Sequence, residues 1–151
     1  MDGQFRSLIF QTFGEVFETM FFTFLEPVDE VPGPEALVCD DTYIRADIVY
    51  QGPQSGRFTI YLPKRLARNV TMNFLGADEA DISDEQMLDT AKEATNMAVG
   101  SLLGKIDPAG ESKLNIPEAT ILDQFSGAEI ASEPGAFLFD TDFGRLWVVF
   151  S

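Results

Sequence analysis

The sequence contains no histidine and a single cysteine, and its 25 acidic residues outnumber 10 basic ones, for a net charge of −15. Without histidine, a Ser-His-Asp triad, a His-ligated zinc and a histidine phosphoacceptor are all excluded. The lone thiol, Cys39, has no partner for an internal disulfide. That fits a reducing compartment, and the expected location is the cytoplasm. The excess of carboxylates repels phosphate backbones and anionic lipid surfaces, which argues against nucleic acid and membrane partners. Long apolar runs are missing too. The most apolar window, Met20 to Leu25, is bracketed by Glu15, Glu18 and Glu26 and is too short to cross a bilayer. No basic stretch precedes an apolar run at the start, so neither a secretory signal nor membrane insertion is expected.

Several familiar motifs are also absent. There is no Walker loop and no Gly-x-Ser-x-Gly elbow. Asp142-Phe143-Gly144 spells a kinase metal motif, but the chain is far too short for a kinase and lacks the Gly-rich phosphate loop, so it reads as a turn. The acids between Asp78 and Glu85 lack the ligand alternation and central glycine of an EF-hand. They read as a solvated run that caps the following helix. Any chemistry here must come from carboxylates, amides, hydroxyls, amines or a metal brought by a substrate.

What is present is apolar material for a core. Hydrophobic residues make up 45% of the 151, with 14 phenylalanines, so a disordered chain is excluded and one domain over residues 1–151 is expected. Apolar residues from Phe5 to Phe24 recur at three- and four-residue steps and predict a first long helix over 4–25, stopped by Pro27. Phe10, Phe21 and Phe22 fall off its main stripe. Residues 28–35 are turn-rich. Leu37 to Tyr50 then reads as extended, with Ile44, Ala46, Ile48 and Tyr50 on one face. After a hairpin loop, Arg57 to Leu62 returns with Phe58, Ile60 and Leu62 inward. Pro63 suits the first position of a short helix over 64–75 that turns Leu66, Val70 and Phe74 inward. Further strands are expected over 113–116, 119–122, 129–132, 136–140 and 145–150. The expected class is α/β of the α+β type, with two long helices packed on a mainly antiparallel sheet.

The second long helix, read as Asp84 to Leu103, organises the rest. Ser83 and Gln86 form a capping-box signature at its start, and Gly104 is expected to end it. Met87, Leu88, Ala91, Ala94, Ala98, Val99 and Leu102 make a wide apolar face. Asp89, Glu93 and Asn96, at i, i+4 and i+7, share a narrow stripe on the other side, and Gly100 continues it. Acids at this spacing are what an ordinary solvated helix face carries. Asn and Gly are poor interior helix residues, however, and Gly costs roughly 1 kcal/mol against Ala. An amide such as Asn96 both donates and accepts, so it can orient a water for in-line attack on a phosphoryl group. Gly100 removes bulk beside it and would let another backbone approach closely.

Asp89-x-x-x-Glu93-x-x-Asn96 on a long helix, with Pro117 some twenty residues downstream, resembles the active-site pattern of the CheC/CheX/FliY chemotaxis phosphatases. The resemblance implies a CheC-like fold and a phosphatase acting on the phosphoaspartate of a CheY-like response regulator. It implies that Asn96 orients the water and that Glu93 pairs with the receiver's lysine. Asp89 and Gly100 would belong to the partner-binding surface. No metal of the protein's own is expected, and magnesium would sit on the receiver. The first helix offers Glu15-Val16-Phe17-Glu18, with Glu18 where an asparagine would be needed, which resembles the single-site, CheX-like branch. That branch implies a homodimer, with the Phe-rich first helix and the strand around Trp147 as contributors. The competing class is a non-catalytic CheC-like module that binds a receiver domain or a flagellar motor component.

Overall fold

The computed structural model describes residues 3–37 and 41–151. Cys39 lies outside the described residues. Four helices and seven strands follow in chain order: α1 Gly3–Phe21, β1 Glu26–Val28, β2 Tyr43–Gln51, β3 Gly56–Pro63, α2 Lys64–Leu75, α3 Asp84–Ile106, β4 Lys113–Leu114, β5 Glu118–Leu122, α4 Gly127–Ala131, β6 Ala136–Thr141 and β7 Gly144–Phe150. The strands form one sheet in the order β1-β6-β7-β3-β2, with β4 and β5 both paired to the far side of β2. Every pairing is antiparallel. The expected α+β class, with long helices on an antiparallel sheet, is therefore the observed one.

Strict alternation puts Ile44, Ala46 and Ile48 of β2, Phe58, Ile60 and Leu62 of β3, and Phe137 and Phe139 of β6 on a single face, all buried. The apolar stripes of α1, α2 and α3 close over that face. From α1, the Phe5, Phe10 and Phe13 rings meet Phe137, Phe139 and Phe150, so α1 sits over β6 and β7. The extra phenylalanines of α1 are therefore partly used in packing: Phe10 meets the sheet edge-on and Phe21 is fully buried. Burying each such ring contributes roughly 1.5–3 kcal/mol by the area it removes from water. Residues of α3 pack against β2 and β5 beside α1.

The other sheet face is only partly covered. The short 3-10 turn Pro34–Leu37, the loop before α4 and α4 itself lay Leu37, Phe125 and Ile130 over Tyr43, Leu138 and Trp147. The Tyr43 and Phe125 rings stack with centroids 3.8 Å apart. Trp147 itself is 1% exposed. Beyond this small cluster the face carries polar groups at its centre. Asp47 accepts from Thr59 Oγ1 at 2.5 Å and from Arg45 Nε at 3.0 Å.

Several boundaries differ from the sequence reading for identifiable reasons. Helix α1 ends at Phe21 rather than Leu25, because Phe22 takes a left-handed φ of 51°. Thr23 N–H then donates back to Phe17 O at 3.0 Å and closes the end of the helix. Met20, in the last turn of the helix, and Phe24, beyond it, are both exposed. Leu37 belongs to the 3-10 turn, and β2 begins only at Tyr43. Pro63 closes β3 and serves as the N-cap of α2 rather than its first helical residue. Phe74, expected inward, is 40% exposed. Gly104 does not stop α3, which runs on to Ile106 and caps at Asp107, whose N–H reaches Leu103 O. A strand is expected over 129–132, but residues 127–131 are helical, with Ser126 Oγ accepting from Glu129 N–H at their start. Strand β1 was not anticipated.

Candidate functional site

The start of α3 is fixed by both bonds of the capping box. Gln86 N–H donates to Ser83 Oγ at 3.1 Å, and Ser83 N–H donates to Gln86 Oε1 at 2.8 Å. Lys64 Nζ pairs with Asp84 at 3.1 Å. At the other end, Lys105 Nζ donates to Thr12 Oγ1 of α1 at 2.9 Å and pairs with Glu15 at 3.4 Å. Between these anchors Met87, Ala91, Ala94, Ala98, Val99 and Leu102 are buried. A side chain on the far face of so well-held a helix has little freedom to wander.

That far face carries the predicted stripe. Asp89 and Glu93 are exposed, and Asn96 and Gly100 are half-buried, so the structure brings all four to one outward surface. Asp89 is held by Lys92 at 3.4 Å, one turn along. Among the described residues, the Asn96 amide and the Glu93 carboxylate have no hydrogen-bond or ion-pair partner within the chain. Both groups are free to address something else.

Gly100 has a neighbour of its own chain. A Cβ built there would lie 3.6 Å from Leu114 Cδ1, an ordinary contact, so internal packing does not demand the glycine. Leu114 belongs to β4, which leads into a β-bulge. Tyr50 faces Leu114 and Asp47 faces Glu118, leaving three residues, 115–117, opposite two of β2. Asn115 N–H still reaches Val49 O at 2.8 Å. The bulge absorbs Pro117, half-buried, and throws Ile116 outward at 88% exposure. The strand edge next to the Gly100 end of the stripe is thus irregular and closed to ladder pairing at Pro117.

Beside the other end, a depression of about 380 Å³ is lined by Phe74 and Leu75 of α2 and by Gln86, Asp89, Thr90 and Glu93 of α3. The periodicity of α2 points Phe74 toward the core and gives Leu75 no role, whereas both line this depression.

The second helix-borne candidate, on α1, is spoken for. Glu15 accepts from Gln11 Nε2 at 2.9 Å and pairs with Lys105. Its carboxyl is held below the usual carboxylate range, first by the Gln11 hydrogen bond and then by Lys105. Among the described residues no group of three or more His, Cys, Asp or Glu side chains is arranged to hold a metal ion. No described helix is long and apolar enough to cross a membrane.

A family model described as chemotaxis phosphatase CheX matches residues 44–139, which include the whole of the stripe. Among solved structures, a chemotaxis protein CheX from Desulfovibrio desulfuricans is 20% identical with a TM-score of 0.75, over 98% of this chain and 98% of that one. A CheC-like superfamily protein from Shewanella sp. PV-4 is 22% identical with a TM-score of 0.74, over 100% and 99%. A chain of the CheX–CheY–BeF3–Mg2+ complex from Borrelia burgdorferi is 15% identical with a TM-score of 0.69, over 97% and 96%. No curated protein sequence matches. At these identities the solved structures establish a shared fold.

Proposed function

The chain belongs to the chemotaxis phosphatase CheX family, and on that premise we propose that it hydrolyses the phosphoaspartate of a CheY-like response regulator. The observation that carries this reading is the Asn96 amide, unpartnered within the chain and presented on the outward face of a helix anchored at both ends. A phosphoaspartate is an acyl phosphate with a good leaving group, so it needs little acid–base help. What it lacks is a water held in line. The Asn96 side chain accepts a hydrogen from that water and donates to the transferring phosphoryl oxygens or to the water itself. The water oxygen bonds to phosphorus as the bond to the aspartate oxygen breaks. Inorganic phosphate leaves, and the receiver's carboxylate is restored.

Glu93, one turn before Asn96 on the same stripe, supplies the charge-assisted contact that fixes register. Its carboxylate accepts from the receiver's lysine. Asp89 and Gly100 complete the contact surface. Magnesium enters as part of the phosphorylated receiver, the substrate, and this chain's residues are not asked to bind it. Positioning of one water is worth on the order of 100-fold in rate, or roughly 2.7 kcal/mol of barrier. The fold shared with a protein solved in complex with CheY supports the choice of partner class.

The test is phosphate release from a receiver domain phosphorylated in the presence of magnesium, followed with and without this protein. Acceleration in proportion to catalytic, substoichiometric amounts is the expected result. Binding without acceleration would reduce the protein to a docking module.

A further inference from the structure

Eight large hydrophobic side chains stand out as exposed among the described residues, and five of them, Met20, Phe22, Phe24, Phe74 and Leu75, belong to the C-terminal ends of α1 and α2 or the residues just beyond. Those two ends meet. The Phe21 and Phe74 rings lie 5.2 Å apart, and Asn73 Nδ2 donates to Phe21 O at 2.9 Å. The exposed phenylalanines are therefore concentrated at one corner of the molecule rather than scattered, and a concentrated apolar corner marks an interaction surface.

Phe22 makes the point sharply. It occupies the left-handed position that closes α1, with φ 51° and 74% of its surface exposed. Glycine or asparagine would take that backbone more easily, and a polar residue would be better solvated. Local structure favours a phenylalanine there on neither count. Asn73 and Thr23 nevertheless hold the turn, Thr23 Oγ1 donating to Phe21 O at 3.0 Å.

This corner is continuous with the stripe. The depression that Phe74 and Leu75 line has Asp89 and Glu93 as its opposite wall, and Asn96 follows Glu93 by one turn. One wall is thus apolar, and the other carries two carboxylates, of which only Asp89 has a cation beside it. A partner matched to both walls presents a protruding apolar side chain next to a lysine or arginine. We infer that the receiver domain of the response regulator docks here, seating an apolar side chain against Phe74 and Leu75 while its cation meets Glu93. This corner then sets which receiver is accepted. The inference rests on the phosphatase reading for its occupant. It adds the contact that reading leaves unassigned: a single charge pair and a water-orienting amide give little grip, and buried aromatic and aliphatic anchors supply most of the affinity of protein contacts.

The experiment uses Leu75→Ser and Phe74→Ser in the full chain, with both hydrolysis and binding of phosphorylated receiver measured. Phe74 also packs on Phe21, so Leu75→Ser, at 48% exposure, is the variant that disturbs internal packing less, and thermal unfolding of both is recorded. The expected result is a KM and a Kd raised roughly tenfold, with kcat changed less than about twofold, the signature of lost uniform binding. Hydrolysis by Leu75→Ser at the parent KM would overturn the docking site while leaving the catalytic reading intact. Parent protein that binds the receiver without hydrolysing it, with binding weakened in Leu75→Ser, would keep the docking site and remove the catalytic reading. Loss of self-association in the variants, with receiver binding unchanged, would assign the corner to a second copy of this chain and overturn the inference.

Discussion

Lys105 of α3 donates to the buried Thr12 hydroxyl of α1 at 2.9 Å while its charge pairs with Glu15 on the surface. One side chain thus ties together the two long helices. Its removal leaves Thr12, which is fully buried, without that donor, and Lys105→Ala should cost about 1 kcal/mol or more, read by urea unfolding.

The Glu15 end of this bridge carries a pH dependence whose sign is fixed. Its carboxyl is lowered, first by Gln11 and then by Lys105. The associated stability is therefore present above the unfolded-state value and lost as pH falls through the lowered one. Glu15→Gln should flatten the acid limb of the stability–pH curve and leave the alkaline side unchanged. A curve parallel to the parent's in acid would contradict this.

Trp147 packs with Leu37, Tyr43 and Leu138 on the sheet face opposite the long helices. Trp147→Ala should destabilise by about 3–5 kcal/mol, visible as a lowered denaturant midpoint. Oligomeric state by sedimentation should be unaltered in whatever fraction remains folded.

Gly100→Ala separates stability from contact. Only Leu114 is near, at ordinary distance, so the change should stabilise α3 by up to roughly 1 kcal/mol. The melting temperature should rise by about 2–4 °C. If the partner approaches closely over Gly100, hydrolysis of phosphorylated receiver should fall at the same time. A more stable protein with undiminished activity would remove Gly100 from the contact surface.

Much of this was legible in the sequence because α3 is long, periodic and capped by local signals. The 3.6-residue repeat separates Asp89, Glu93 and Asn96 from the buried face without reference to anything else in the chain. The end of α1 was not legible, because its closing left-handed residue is Phe22, and nothing about a phenylalanine inside a Phe-rich run announces a helix stop. The inward expectation for Phe74 has the same origin: periodicity sees that a residue is apolar, not how much of it the neighbouring elements cover. Strand β1 is three residues long with Pro27 in the middle, held on an edge by pairing to β6. Only the tertiary partner makes it a strand. Residues 127–131 are likewise too few for either period to decide. The cover over Trp147 depends on where α4 and the 3-10 turn fold back, which alternation along β7 does not encode.

Glu93 should act through association. Glu93→Ala should raise KM for phosphorylated receiver roughly tenfold, as loss of one charge-assisted contact, with little change in kcat. The parent KM should also climb with added salt, and that dependence should weaken in the variant. Equal salt dependence in both proteins would place the receiver's cation elsewhere.

The central claim stands or falls on Asn96→Ala, measured as single-turnover dephosphorylation of a receiver domain at saturating protein. Alanine favours the helix, and Asn96 is outside the buried face, so the variant should fold at least as stably as the parent. It should still bind the receiver, yet hydrolyse it about 100-fold more slowly, because the water has lost its orienting group. Hydrolysis at the parent rate by a saturated Asn96→Ala variant would contradict the catalytic assignment of this residue.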